Sequence, residues 1–146
     1  MGKLIETYRG VIYPWQCDHQ GHLNTMQYVG VFDAAFWHHV SAMGFTRAYL
    51  AGSNRGFVDV KDILEYKAEV VVGSLIVVES ELLRIGGKSI TARHCMRDAE
   101  TGELAATSEK ITVYFDLEAR RAVSLPDEKR RAMKDFLIGE SEIGAR

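Results

Sequence analysis

The sequence predicts an α+β domain in which an antiparallel sheet wraps around one long helix, with a short helix near the C-terminus. Three observations lead to this expectation. Long stretches alternate between apolar and polar residues, one apolar segment repeats with helical spacing, and glycine-containing turns separate the stretches. The predicted order is one strand, the long helix, four more strands and the short helix.

Length and composition fit one globular domain. The 146 residues form a single predicted domain over 1–146, with a core over about 8–136, and we expect the tail after Phe136 to fray. Hydrophobic residues at 47% and charged residues at 26% exclude intrinsic disorder. A net charge of -2 does not indicate the excess of basic residues that is typical of nucleic-acid-binding proteins. No apolar stretch is long enough to span a membrane. Two cysteines are too few for a disulfide scaffold, so we expect a reduced, cytoplasmic protein.

The first predicted strand covers Tyr8–Trp15, and Pro14 near its end indicates an edge or a bulge. After a short polar loop, Asn24 occupies the N-cap position of the long helix, with Gln27 placed as in a capping box. Apolar residues then recur at spacings of three and four, and Gly44 ends the helix. These apolar residues are Val29, Phe32, Phe36, Val40 and Met43.

The second half of the chain is rich in strand patterns. The predicted strands are Phe57–Val72, Leu75–Ile85, Lys88–Asp98 and Leu104–Asp116. Gly86 and Gly87 form the turn between the second and third of these. Pro126 and the acidic residues after it predict a helix that continues to about Phe136. Long antiparallel strands of this kind can curl around a helix.

Polar residues concentrate in one place, between the first strand and the long helix. Asp18, His19, His22 and Asn24 lie within seven positions, and Gly21 allows the backbone to turn there. The start of a helix presents free N–H groups and a positive dipole end, which favour an anion. A carboxylate beside such donors is suited to hydrolysis of an activated carbonyl, in which a tetrahedral oxyanion forms.

The eleven residues Asp18–Tyr28, DHQGHLNTMQY, resemble the D-x-x-G-H-x-N-x-x-x-Y signature of the hotdog-fold acyl-CoA thioesterases. The resemblance is closest to the group named for 4-hydroxybenzoyl-CoA thioesterase, and Val29–Ala35 and Gly86–Ser89 also resemble that family's helix and hairpin. It implies a hotdog fold, with a five-stranded antiparallel sheet wrapped around one central helix. It also implies homodimers built by sheet extension, which some members pair into homotetramers.

The resemblance further implies the reaction and the principal site residues. The substrate is an acyl-CoA, and the active site lies at the dimer interface. The aspartate at the position of Asp18 attacks the thioester carbon or activates water, and the backbone N–H of Thr25 faces the thioester oxygen. Family members need no metal or prosthetic group, so no cofactor is expected, and CoA belongs to the substrate.

The remaining site candidates each have a structural alternative. His22 either shapes the loop or helps to polarise water, and Asn24 caps the helix and braces Asp18. Tyr28 lines the substrate pocket or packs in the core. Asp33, a reserve catalytic acid on the helix, contacts substrate or pairs with a neighbouring strand, because an unpaired buried carboxylate is costly.

Other residues are candidates for CoA or acyl binding. Lys88 and Ser89, after the glycine turn, are placed to meet the nucleotide or the pantetheine arm. Further candidates for the CoA phosphates are Arg84, Arg93 and Arg97. Trp15, Trp37 and Tyr28 either frame an acyl pocket or fill the core, and their faces suit a quaternary ammonium acyl group if the substrate carries one.

Other kinds of catalytic chemistry have less support in the sequence. Cys17 next to Asp18 points inward if the segment is extended, which argues against a Cys–His nucleophile. The four histidines 19, 22, 38 and 39 lack the spacing of helical metal ligands, so no metal site is expected. A hotdog hydratase or dehydratase and a non-catalytic acyl-CoA-binding module remain as alternative functions.

Overall fold

The computed structural model describes residues 2–139, and its central element is helix α1 (Thr25–Ala42). The Asn24 side chain accepts a hydrogen bond from the N–H of Met26 at 3.0 Å, which confirms the predicted N-cap. The helix ends before Gly44, whose φ of 107° suits a residue without a Cβ. The capping box with Gln27 is wrong, because the N–H of Asn24 donates to the Gln16 carbonyl at 2.9 Å instead.

One antiparallel sheet holds all the long strands. These are β1 (Ile5–Val11), β2 (Arg55–Tyr66), β3 (Leu75–Ile85), β4 (Ser89–Asp98) and β5 (Leu104–Asp116). They lie in the order β1–β3–β4–β5–β2, so β1 and β2 are the edge strands, and a short β6 (Arg121–Ala122) pairs with the end of β5. The predicted five-stranded sheet is confirmed, and the two-residue β6 is an addition.

The inner face of the sheet packs against α1 in two clusters. Around the N-terminal half of the helix, Tyr28 and Phe32 contact Ile76 and Met96 among other buried residues. Around its C-terminal half, a second cluster includes Phe36, Val40, Leu82, Ile90 and Tyr114. The sheet therefore wraps around the helix, and the hotdog arrangement implied by the sequence is confirmed.

Three predicted boundaries differ from the structure. The first strand is Ile5–Val11 rather than Tyr8–Trp15, because Pro14–Gln16 forms a turn of 3-10 helix. Strand β2 ends at Tyr66, six residues early, since Lys67 and Ala68 both turn their N–H groups to the Ala105 carbonyl. The terminal helix α3 (Asp127–Met133) is confirmed, but it stops short of Phe136.

Two features escaped the sequence analysis. Helix α2 (Arg47–Ser53) follows α1, and the Thr46 hydroxyl caps it by accepting from the N–H of Tyr49 at 3.2 Å. After α3, Leu137 bridges to Leu82 of β3 and Ile138 is buried, so the chain does not fray directly after Phe136. The rest of the predicted frayed tail, residues 140–146, lies outside the described residues. Within residues 2–139, no helix has the length and hydropathy needed to cross a membrane.

Candidate active site

Residues 16–24 form a small hairpin, here called the 16–24 hairpin, that leads directly into α1. Its two arms are joined by the N–H of Asp18, which donates to the His22 carbonyl at 2.8 Å, and by the bond from Asn24 to Gln16 at 2.9 Å. Gly21 sits at the turn with a φ of 79°, a conformation that glycine adopts freely. The backbone therefore holds Asp18 close to the start of the helix.

The segment after β2 fixes the other side of this hairpin. The N–H of Leu23 donates to the Val70 carbonyl at 2.7 Å, and the N–H of Val72 donates to the Gly21 carbonyl at 3.1 Å. The sequence analysis assigned residues 67–72 to a strand. They instead leave the sheet ladder and support the 16–24 hairpin.

Asp18 is half-buried, and backbone groups orient its carboxylate. Its Oδ1 accepts from the N–H of Gln20 at 2.9 Å and from the N–H of His22 at 3.3 Å. Within residues 2–139, Oδ2 accepts no hydrogen bond. One oxygen therefore anchors the side chain and leaves the other for chemistry.

Thr25 is the first residue of α1, and it is exposed. Among the described residues, its backbone N–H donates to no acceptor, whereas the next N–H, of Met26, is capped by Asn24. The free N–H at the positive end of the helix dipole is a suitable donor for an anion.

The cap itself can be tested. We expect Asn24→Ala to lower the free energy of unfolding by about 1 kcal/mol, because the Met26 N–H loses its acceptor. Urea unfolding followed by circular dichroism measures the change. Asn24→Asp keeps an accepting oxygen and is the matched control; equal losses in both variants would contradict a capping role.

A cleft of about 410 Å³ opens at the start of α1. Its lining combines residues from the 16–24 hairpin and α1 with residues from the end of β2 and the segment after it: His22, Thr25, Tyr28, Tyr66, Lys67 and Glu69. The ring of Tyr28 lies perpendicular to that of Tyr66, with centroids 5.0 Å apart. Burial raises the pKa of Tyr28, and the neighbouring Tyr66 raises it further.

Glu69 is the residue of this cleft that the sequence analysis missed. Its Oε2 lies 3.6 Å from Nε2 of His22, so a carboxylate faces the imidazole across the cleft. No local motif marks Glu69. It reaches the cleft because the chain bends away from β5 after Tyr66 and returns along the 16–24 hairpin.

Asp33 is half exposed and lies outside this cleft. Its Oδ1 is 3.9 Å from Nζ of Lys110, a side chain that is only 2% exposed and that also lies 3.3 Å from Oδ2 of Asp59. The expected partner for the helix carboxylate is thus a lysine on the neighbouring strand β5. A role of Asp33 in substrate binding stays a prediction.

Lys88 and Ser89 lie at the opposite end of the molecule from Asp18. Ser89 pairs with Val113, and the Lys88 carbonyl accepts from the N–H of Tyr114, a member of the second core cluster. Within a single chain, Lys88 and Ser89 therefore lie far from the cleft.

Two of the candidate arginines point away from α1 and pair with carboxylates. Arg93 lies 3.5 Å from Glu109, and Arg97 lies 3.4 Å from Glu79.

The aromatic candidates do not frame one pocket within a chain. Trp15 is 76% exposed and stacks on Tyr13 with ring centroids 4.6 Å apart, while Trp37 lies near α2 and Tyr28 lines the cleft.

Cys17 packs against the first core cluster, as expected, and its Sγ lies 3.6 Å from the Tyr13 carbonyl. The adjacent histidines of α1 diverge: His38 is exposed and His39 is fully buried.

Comparisons with known proteins identify the family and the fold of this chain. A family model described as the thioesterase-like superfamily matches residues 12–133. The L-carnitine dehydrogenase/betainyl-CoA thioesterase of Agrobacterium fabrum is 29% identical over 125 residues, which cover 86% of this chain and 25% of that protein. The betainyl-CoA thioesterase of Pseudomonas aeruginosa is 23% identical over 128 residues, which cover 88% and 80%. The chain thus spans about a quarter of the first relative.

A solved structure shows the same fold. A hypothetical protein from Staphylococcus aureus, in complex with CoA, matches with a TM-score of 0.86 over 100% of this chain and 95% of its own. The two sequences are 14% identical, so this likeness concerns the fold alone.

Proposed function

Because this chain belongs to the thioesterase-like superfamily, we propose that it hydrolyses an acyl-CoA thioester to a free acid and CoA. The observation that carries the proposal is the pairing of Asp18 with the helix start. The 16–24 hairpin holds a carboxylate that has one free oxygen. The same hairpin leads directly to Thr25, whose backbone N–H has no hydrogen-bond acceptor among the described residues.

The proposed reaction begins with the thioester carbonyl at the mouth of the cleft. As the carbonyl carbon becomes tetrahedral, its oxygen gains negative charge, which the Thr25 N–H and the helix dipole stabilise. Asp18 either attacks this carbon through Oδ2 or removes a proton from an attacking water. In the first route the C–S bond breaks to give a mixed anhydride, the thiolate takes up a proton, and water then cleaves the anhydride.

Residues beside Asp18 and Thr25 have supporting roles in this proposal. Asn24 holds the helix start, and Tyr28 presents an aromatic wall to the substrate. His22 orients water or a reacting group, and Glu69 across the cleft restricts the orientation of its ring. CoA takes part only as a portion of the substrate, and a cytoplasmic location stays an expectation.

The proposed enzyme is a homodimer formed through β2. This strand is a twelve-residue edge of the sheet and exposes Val58, Val60 and Ile63, while the neighbouring α1 exposes Val29 and Trp37. A long edge strand with unpaired backbone groups and exposed apolar side chains favours pairing with another strand. A second copy supplies an identical β2 in antiparallel orientation, as two-fold symmetry requires. Pairing of two such dimers into a tetramer stays an expectation.

The antiparallel arrangement also brings Lys88 and Ser89 of one copy near the cleft of the other copy. Ser89 lies in register with Val113 and through it with Val58, so both residues belong to the end of the sheet where β2 begins. In the dimer, that end of one copy adjoins the end of β2 in the other copy, which is next to the cleft. CoA contacts from this turn are therefore proposed between subunits.

The dimer can be tested by placing a charge at the edge. We expect Val60→Asp, at a side chain that is 60% exposed, to convert a dimer into a monomer because a carboxylate is costly to bury between strands. Light scattering after size-exclusion chromatography measures the mass. Val72→Asp places the same charge at an exposed valine beside the 16–24 hairpin and is expected to stay dimeric. A monomeric wild type would contradict the proposed assembly.

Release of free thiol tests the proposed reaction. The protein is mixed with a panel of acyl-CoAs carrying acetyl, octanoyl, benzoyl and betainyl groups, and a disulfide reporter follows the CoA thiol. We expect thiol release with at least one of them, dependent on Asp18. A hydratase would change the acyl group without freeing thiol, and a binding module would retain acyl-CoA without turnover; either result would contradict hydrolysis.

A further inference from the structure

A second cavity lies at the other end of α1. It has a volume of about 770 Å³, which is within the range of small-molecule sites. We call it the α1–α2 pocket, because it lies between the C-terminal half of α1, helix α2 and the start of β2. Its apolar lining consists of Ala34, Trp37, Phe45, Leu50, Phe57 and Leu117. The 16–24 hairpin contributes nothing to it.

The charged residues that line this pocket are both cationic. Arg47 and Arg55 line it together with His38, and within residues 2–139 its lining includes no aspartate or glutamate. Arg55 is paired outside the lining with Asp116, at 3.2 Å. The pocket therefore suits an apolar ligand that is neutral or anionic. A cationic ligand would lose hydration beside the guanidinium group of Arg47 and would find no carboxylate in the lining to pair with.

The α1–α2 pocket lies too far from the catalytic residues of its own chain to hold a short acyl group bound there. Trp37 lies twelve positions after Thr25 on α1, which corresponds to about 18 Å along a helix. An acyl group is bonded directly to the carbon that Asp18 and the Thr25 N–H must contact. An acyl group as short as octanoyl or benzoyl therefore does not reach the aromatic lining at Trp37 of its own chain.

The pocket of a second copy is much better placed. Within one chain, Tyr28 contacts Tyr66 at the end of β2, whereas Trp37 contacts Phe57 near its start. When two β2 strands pair in antiparallel orientation, the end of one lies beside the start of the other. The cleft of each copy then adjoins the α1–α2 pocket of its partner.

We propose that the α1–α2 pocket receives the acyl group of a substrate whose thioester is bound at Asp18 of the other copy, and that it selects large apolar acyl groups over cationic ones. The proposal rests on the proposed thioesterase function and adds the acyl class and the subunit that recognises it. Binding energy comes from burial of the acyl chain or ring against the aromatic lining.

Filling the pocket tests the selection. Ser41 lines the pocket and is exposed, so Ser41→Trp fills it without disturbing the core; Ala42→Trp, at the next exposed position of α1 outside the pocket, is the control. We expect wild-type kcat/KM for octanoyl-CoA or benzoyl-CoA to exceed that for betainyl-CoA by at least ~10-fold. Ser41→Trp should lower the value for the large substrates by at least ~10-fold and leave acetyl-CoA within about twofold. Equal effects on all substrates, no effect, or preference for betainyl-CoA would overturn the proposal.

Mixed dimers test the placement between subunits. Asp18→Asn and Ser41→Trp chains carrying different tags are co-expressed, and the species that carries both tags is purified. One of its two sites combines an intact Asp18 with an open pocket, so octanoyl-CoA hydrolysis should recover to about half of the wild-type rate per dimer. Activity no higher than in the two parent variants would overturn the placement. Full activity of the Asp18→Asn homodimer would instead contradict the catalytic assignment, while the Ser41→Trp selectivity would still decide whether the pocket binds acyl groups.

Discussion

Asp18→Asn is expected to slow thioester hydrolysis by at least ~100-fold at saturating acyl-CoA. The amide keeps the shape of the carboxylate and can still accept from the N–H groups of Gln20 and His22 through its oxygen. It cannot attack a carbonyl as an anion or remove a proton from water. The reduction should therefore fall on kcat, with little change in substrate binding.

The measurement is the rate of thiol release together with the dissociation constant of a non-hydrolysable acyl-CoA thioether. His19→Asn, on the exposed side of the same hairpin, is the control and should keep the wild-type rate. A kcat within a few-fold of wild type in Asp18→Asn would exclude Asp18 as nucleophile and as base. A variant that unfolds earlier in urea would show that the effect is structural, and for this reason unfolding is measured alongside.

The second large effect is expected on stability in acid. His39 is fully buried on α1, and within residues 2–139 both ring nitrogens lack a hydrogen-bond partner. Burial lowers the pKa of His39 to about 4. Burial also lowers the pKa of His94, whose ring lies 5.8 Å from that of His39, and the nearby His39 and Lys110 lower it further.

Between pH 8 and pH 5 the unfolded chain binds a proton at His39, where the ordinary pKa is 6.5, while the folded protein stays neutral there. The folded state consequently loses about 2 kcal/mol of stability over this range from His39 alone. His94 acts in the same direction, so stability should be highest above neutral pH and fall steadily below it.

His39→Leu isolates this contribution. We expect the variant to lose about 2 kcal/mol less than wild type between pH 8 and pH 5, because leucine cannot take up a proton in the unfolded chain. Urea unfolding at pH 8, 7, 6 and 5 gives the free energies. His38→Leu removes the exposed neighbour on the same helix and should follow the wild-type curve. Parallel curves for wild type and His39→Leu would contradict the assignment.

Much of the fold was predictable because its signals are local. The repeat of Val29, Phe32 and Phe36 fixes α1, and glycine and proline mark the turn at Gly86 and the start of α3. Helix α2 was missed although Thr46 provides an N-cap, since seven residues carry too little apolar repeat to stand out. The end of β2 was missed because Val70, Val71 and Val72 have strand character but pair with the 16–24 hairpin.

The residues of the candidate site also fall into two groups, those that lie together in the sequence and those that only the fold brings together. Asp18, His22 and Asn24 lie within one motif, so the sequence places them together. Glu69 and Tyr66 reach the cleft only through the bend after β2, which depends on tertiary contacts. Lys88 and Ser89 show what local patterns leave out, because such patterns do not tell at which end of the sheet a turn lies. Their distance from Asp18 follows from strand register.

The 16–24 hairpin is held by main-chain hydrogen bonds on both sides, and this has a practical consequence for engineering. His19 and Gln20 are exposed, and neither side chain orients the Asp18 carboxylate, since Gln20 contributes only its backbone N–H. Their side chains can therefore be exchanged for a fluorophore or a spin label within a few ångströms of the reacting groups. Such a reporter would register the arrival of substrate while the backbone keeps its shape.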